Sequence, residues 1–211
     1  GQQYLEDLGW VDAVPSPDVA AAIDRLRGAG DLATRPRLVG IGGDLRPYQE
    51  RGIAWLQQLT DLGFGGVLAD DMGLGKTVQA IALMTAREQD RPHLVVCPSS
   101  VVGNWERELR RWAPNVPVIR HHGADRPNYR AAFRPGHVTV TTYALLRRDV
   151  WLLEDIDWDL AIFDEAQQIK NAASKGAKAA RSLPARAKIA MTGTPIENRL
   201  TELWAIVDLT N

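Results

Sequence analysis

Residues 68–79 read LADDMGLGKTVQ, and the fold turns on whether Gly73, Gly75, Lys76 and Thr77 end a phosphate-binding loop. The general pattern G-x-x-x-x-G-K-S/T asks for glycine six residues before the lysine. Here that position is Asp70. The setting nevertheless suits such a loop: Gly66-Val67-Leu68-Ala69 is a short apolar run before it, and 76–87 reads as a helix after it. Backbone N–H groups of Gly73, Gly75, Lys76 and Thr77 would then meet phosphate oxygens at the positive end of a helix dipole. Lys76 would reach the β- and γ-phosphates and the Thr77 hydroxyl would ligate Mg²⁺. On the loop alone, a plain strand-to-helix turn stays open as the alternative.

Outward from the loop, strands and helices alternate. Helices are expected over 45–59, 76–87, 102–112, near 172–182 and over 200–209. Strands are expected over 66–69, 93–97, 116–120, 138–142, 160–164 and 188–191. Apolar strands alternating with helices imply an α/β fold with a mostly parallel sheet covered on both faces. Residues 1–43 differ, with one short helical stretch over 18–27 among Pro15, Pro17, Gly28, Gly30, Pro36, Gly40, Gly42 and Gly43. They read as an N-terminal extension or the tail of a preceding domain, leaving 44–211 as the main domain.

A second chemical feature follows some ninety residues after the loop. The apolar run Leu160-Ala161-Ile162-Phe163 ends in Asp164-Glu165-Ala166-Gln167. An aspartate at the carboxyl end of a strand can hold Mg²⁺ through its waters, and the next glutamate can orient an attacking water. Adjacent acids after a strand are otherwise a polar loop start. Together with Gly75-Lys76-Thr77, both halves of a Mg²⁺–nucleotide site fall at one edge of one sheet.

Composition narrows the class. The net charge of −1 gives no general attraction to nucleic acid, so any such surface is local. A single cysteine, Cys97, rules out an internal disulfide. The four histidines (93, 121, 122, 137) lack cysteine or acidic neighbours at zinc-ligand spacing. No apolar run reaches the ~18 residues of a membrane span, and no signal-peptide layout is present. The expectation is a soluble, cytoplasmic protein with no membrane partner.

Six ordered blocks carry a family resemblance: LRPYQERGIAWL (45–56), LADDMGLGKT (68–77), LVVCPSSVVGNWERE (94–108), VTVTTY (138–143), FDEAQQIKN (163–171) and MTGTPIENRLTELW (191–204). The set resembles Swi/Snf-type ATPases of helicase superfamily two, with a bacterial look, over 44–211. The resemblance implies the first of two RecA-like lobes. That family writes Asp-Glu or Asp-Asp before Met-Gly-Leu-Gly-Lys-Thr, so Asp70 belongs to its version of the loop. It further implies that Gln49 reads adenine, that Lys76 and Thr77 keep the phosphate and metal roles, and that Asp164 and Glu165 are the metal-linked and water-activating acids. Thr192-Gly193-Thr194 would link nucleotide state to lobe movement. Gln167, where the family often has histidine, bears on the same coupling. Pro98, Ser99, Ser100, Thr142 and Tyr143 fall in blocks that contact the nucleic-acid backbone.

The implied activity is ATP hydrolysis, with ATP and Mg²⁺ as ligands, driving movement on double-stranded DNA that displaces or remodels a bound protein. No second lobe follows Asn211, so this chain is expected to be a fragment of a longer motor with little turnover alone. An RNA-directed helicase of the same superfamily and a nucleotide-sensing interaction module are the competing functions. Residues 105–134 hold seven arginines against three acids, which reads equally as a phosphate-facing surface or as a solvated helix face. Trp55, Trp105, Trp112 and Trp204 are expected in the core, as is Cys97.

Overall fold

The computed structural model describes residues 35–70, 73–169, 173–193 and 200–210, with backbone alone for 200–204. Six strands form one parallel sheet: β1 (Gly66–Leu68), β2 (His93–Cys97), β3 (Val118–Arg120), β4 (Val138–Thr142), β5 (Trp158–Asp164) and β6 (Ala185–Met191). Their order across the sheet is β1-β6-β5-β2-β4-β3. Helices α1 (Pro47–Asp61), α2 (Lys76–Ala86), α3 (Val102–Trp112), α4 (Tyr143–Arg148), α5 (Val150–Leu153), α6 (Lys175–Ser182) and α7 (Leu200–Thr210) connect them. This is the RecA-like α/β architecture.

Side-chain alternation along the strands builds two apolar layers. Val95 and Cys97 of β2 and Leu160 and Ile162 of β5 face Leu56, Ile81, Met84, Trp105 and Leu109 of α1, α2 and α3. Leu94 and Val96, with Ala161 and Phe163, face Leu146, Leu153, Ala180 and Leu209 on the opposite side. In α3 the buried residues Val102, Trp105 and Leu109 recur at helical spacing, while Arg107 and Arg110 point to solvent.

Several expectations need correcting. α4 and α5 lie where no element was expected, because four- and six-residue helices are too short to show a period. Thr142 caps α4 by accepting the Leu145 N–H at 3.3 Å. Trp55 is 38% exposed and is not a core residue. β6 starts at Ala185, before the apolar run, since its first residues pair with Trp158 and Leu160 of β5. Residues 35–43 fall in the same compact unit as the sheet. There the Arg37 N–H donates to Gln57 Oε1 at 3.0 Å, and the Gly42 N–H donates to the Trp112 carbonyl at 2.7 Å.

The amino ends of the strands carry a buried charge cluster. Asp159, fully buried, accepts from Arg87 Nε at 2.6 Å and from Arg186 Nη1 at 3.3 Å. His93 lies 3.7 Å from the same carboxylate, yet burial outweighs that attraction and lowers its pKa to about 4. The unfolded chain therefore takes up a proton on His93 below its ordinary range, and the folded chain does not until near pH 4. His93 thus costs no stability above about pH 6.5, and stability falls as pH drops through that window. His121 shifts in the same direction, again through burial. Urea midpoints are expected to be lower at pH 5 than at pH 7.5, with a smaller difference in His93→Gln. Equal differences in both proteins would contradict this.

Candidate active site

The register places the site. Leu68 of β1 and Asp164 of β5 both pair with Met191 of β6, so three strands end in one row. Two strand spacings, roughly 10 Å, separate the loop after β1 from the acids after β5. Thr192 leaves β6 between them, its N–H donating to the Leu68 carbonyl at 3.1 Å.

After β1 the chain turns through Gly73 and Gly75, at φ +84° and +83°, into α2. Gly75 caps that helix in the left-handed region, and a Cβ there would run into the Gln49 amide. Lys76 and Thr77 open α2, so their N–H groups lie in its first turn, at the positive end of the helix dipole. Lys76 Nζ donates to the Asp70 carbonyl at 2.6 Å, and Gln79 Nε2 holds the Asp70 carboxylate at 2.8 Å. The carbonyl that takes the ammonium is main chain and any residue would supply it; what Asp70 adds over glycine is a carboxylate that Gln79 holds, which fixes this turn of the chain.

Gln49 is buried beside the loop. It accepts from the Arg46 N–H at 2.9 Å and donates to the Leu74 carbonyl at 3.1 Å, and Tyr48 Oη donates to the same carbonyl at 2.9 Å. A primary amide has two donor hydrogens and two acceptor lone pairs. One of each is left for a ligand edge.

On the far wall, Asp164 is held from three sides. Trp105 Nε1–H donates to Oδ2 at 2.8 Å, the Glu165 N–H donates to Oδ1 at 3.0 Å, and Tyr143 Oη donates to the main-chain carbonyl at 2.7 Å. Burial pushes the Asp164 carboxyl above its ordinary range, with the Glu165 charge adding, while Trp105 and Lys76 oppose the rise. Burial also drives Tyr143 well up and Cys97 to about 12, so neither ionises in the neutral range. Glu165 sits at φ +52°, a conformation that a non-glycine residue adopts at a cost of ~1–3 kcal/mol and that recurs at functional sites. Its carboxylate accepts from Gln167 Nε2 at 2.5 Å, and Gln167 Oε1 accepts from Thr192 Oγ1 at 2.9 Å. One amide therefore joins the candidate base to the segment after β6.

These residues line a cleft of about 600 Å³, walled by Gln49, Gly75, Lys76, Thr77, Asp164 and Glu165, with Trp112 and Arg111 at its side. The donor set suits Mg²⁺: Asp164 and Thr77 offer hard oxygens, and the loop N–H groups at the start of α2 suit an anion such as phosphate. No cluster of three or more metal-ligating side chains exists among the described residues, so the ion would depend on phosphate and water for its other ligands.

The nucleic-acid candidates divide. Ser99 and Ser100 are exposed on a turn leading into α3, with Pro98 half-buried before them. Thr142 is only 4% exposed and its hydroxyl is used by the α4 cap. Tyr143 turns inward to Asp164. Neither side chain stands with the two serines on the surface. Of the arginines, Arg110 and Arg120 lie 3.6 Å from Glu106, and Arg126 is 2.6 Å from Asp149. Arg111 lies over the Trp112 ring at 5.0 Å. Three of those seven arginines are thus ion-paired. Thr194 and Lys170 lie outside the described residues, and Gly193 ends a described segment.

Sequence reading did not find the roles of Trp105, Tyr48 and Gln79. For Trp105, the available signal was its place one turn into the helix after the strand beside β5.

A family model described as an SNF2-related domain matches residues 48–211. The putative ATP-dependent helicase/translocase YwqA of Bacillus subtilis is 43% identical over 203 residues, covering 93% of this chain and 22% of that protein. The TATA-binding protein-associated factor mot1 of Schizosaccharomyces pombe is 38% identical over 187 residues, or 81% of this chain and 10% of that one. Among solved structures, the Sulfolobus solfataricus SWI2/SNF2 ATPase core in complex with dsDNA is 41% identical with a TM-score of 0.76, over 84% of this chain and 38% of that one. The chain spans about a fifth of the Bacillus relative and less of the yeast one.

Proposed function

The chain belongs to the SNF2-related family, and from that premise we propose that residues 44–211 form the ATP-binding lobe of a DNA-dependent ATPase. It would move along duplex DNA and displace or remodel bound protein. The observation that carries this reading is the single row of Leu68, Met191 and Asp164, which sets the phosphate loop and both acids on one cleft.

Within that cleft, loop N–H groups and Lys76 hold the β- and γ-phosphates. Asp164 and Thr77 would hold Mg²⁺, which when bound would supply charge neutralisation at the phosphate oxygens. Glu165 accepts the proton of the attacking water. The remaining donor and acceptor of Gln49 recognise one edge of adenine. Gln167 carries the state of Glu165 to Thr192, and so toward Gly193 and Thr194, as the coupling segment. Pro98, Ser99 and Ser100 present exposed backbone and hydroxyls to the DNA phosphates, which grips without reading sequence. The relatives extend well beyond the matched region, and a second lobe with its arginine finger is proposed to come from there. Such a finger contributes ~10³–10⁵ in rate, so the 211-residue chain alone is expected to turn over slowly.

Turnover by a protein carrying both lobes, measured with duplex DNA, with RNA and with neither, tests the substrate class. Duplex DNA is expected to raise ATP hydrolysis about tenfold or more, with RNA having little effect. Stimulation by RNA alone would replace this reading with an RNA-directed helicase. Indifference to both would favour a nucleotide-sensing module.

A further inference from the structure

Trp105 is 1% exposed within the layer under α3, where a tryptophan needs no role beyond packing. Its N–H is another matter. Indole has one donor and no acceptor, and that donor goes to Oδ2 of Asp164, a carboxylate that lines the cleft. Trp158 offers the contrast: equally buried, it gives its N–H to the Leu153 carbonyl at 2.9 Å, inside the fold and away from the cleft. The Glu165 N–H takes the other oxygen of Asp164, so the carboxylate plane is fixed from both ends.

We propose that Trp105 is a positioning residue for Mg²⁺, its indole N–H orienting the Asp164 carboxylate toward the metal. This rests on the reading of the cleft as an ATP·Mg²⁺ site. A carboxylate free to rotate would present its oxygens to the ion only part of the time. The indole is rigid, donates without titrating and cannot compete for the metal. It also ties α3, which begins just after Ser99 and Ser100, directly to the metal-linked acid.

The test follows binding of a fluorescent ATP analogue to the 211-residue chain while Mg²⁺ is titrated. Trp105→Phe keeps an aromatic ring and removes the donor. The Mg²⁺ concentration for half-maximal binding is expected to rise about tenfold or more, the usual cost of losing an outer-shell partner. Analogue binding in EDTA should be unchanged. Trp158→Phe, which loses a buried N–H of purely structural use, should lower the melting temperature and leave the Mg²⁺ midpoint within about twofold. An unchanged midpoint in Trp105→Phe, beside normal Mg²⁺ dependence in the parent, overturns the Trp105 assignment and leaves the site standing. Parent binding that ignores Mg²⁺ overturns the site reading, and this assignment with it. Should Trp105→Phe fail to fold, the indole N–H resonances of the parent decide. Adding Mg²⁺ to the nucleotide-bound chain should shift the Trp105 signal and not that of Trp158, and a shift in neither overturns the proposal.

Discussion

Glu165→Gln is expected to cut ATP turnover by roughly 10²–10⁴-fold, the range of a lost general base, while ATP·Mg²⁺ affinity stays within about twofold. The substitution is nearly isosteric. The Gln167 amide can still donate to the new carbonyl oxygen, and the bridge to Thr192 survives. What disappears is the ability to accept a proton from water. The unusual φ of +52° aims this residue away from the strand direction, and an amide holds that backbone as well as a carboxylate does. Measured in a protein with both lobes, equal turnover by the parent and Glu165→Gln would remove Glu165 as the base.

Lys76→Ala is expected to weaken ATP binding about a hundredfold and AMP binding far less. A hydrogen bond to a charged group is worth ~1.5–3 kcal/mol, and on the proposed reading the ammonium serves the β- and γ-phosphates, which AMP lacks. Lys76 is the first residue of α2 and sits outside both apolar layers, so the melting temperature should move by no more than ~2 °C. Titration of both nucleotides into both proteins checks the prediction. Equal losses for ATP and AMP would mean that the lysine supports the loop as a whole and does not grip the terminal phosphates.

Much of this arrangement was legible in the sequence because it rests on periodic signals. β2 after His93, and all of β4, announce themselves as unbroken apolar or β-branched runs, and every residue in both strands is buried. The glycine pair before Lys76 and the acids after Phe163 fall where parallel strands must end, so their meeting at one edge follows from topology. Side-chain direction was less legible. Thr142 fits a phosphate contact and a helix cap equally well until the fold shows it buried. Trp55 and Trp105 both look like core; Trp55 is over a third exposed, while Trp105 is core and also donates to Asp164, a difference set by partners far away in sequence. Residues 35–43 looked like loose extension because glycine and proline mask long-range hydrogen bonds such as that from Gly42 to Trp112. Asp70 went the other way, from an apparent defect in the loop to a residue whose main-chain carbonyl takes the Lys76 ammonium and whose carboxylate is held by Gln79.

The most direct test of the central claim is a structure of the chain with a non-hydrolysable ATP analogue and Mg²⁺. The triphosphate should lie on the N–H groups of residues 73–77 with Lys76 at its terminal oxygens. The metal should sit between Thr77 and Asp164, with Glu165 facing the γ-phosphate. An analogue ordered anywhere else, or a metal that does not lie between Thr77 and Asp164, would contradict it.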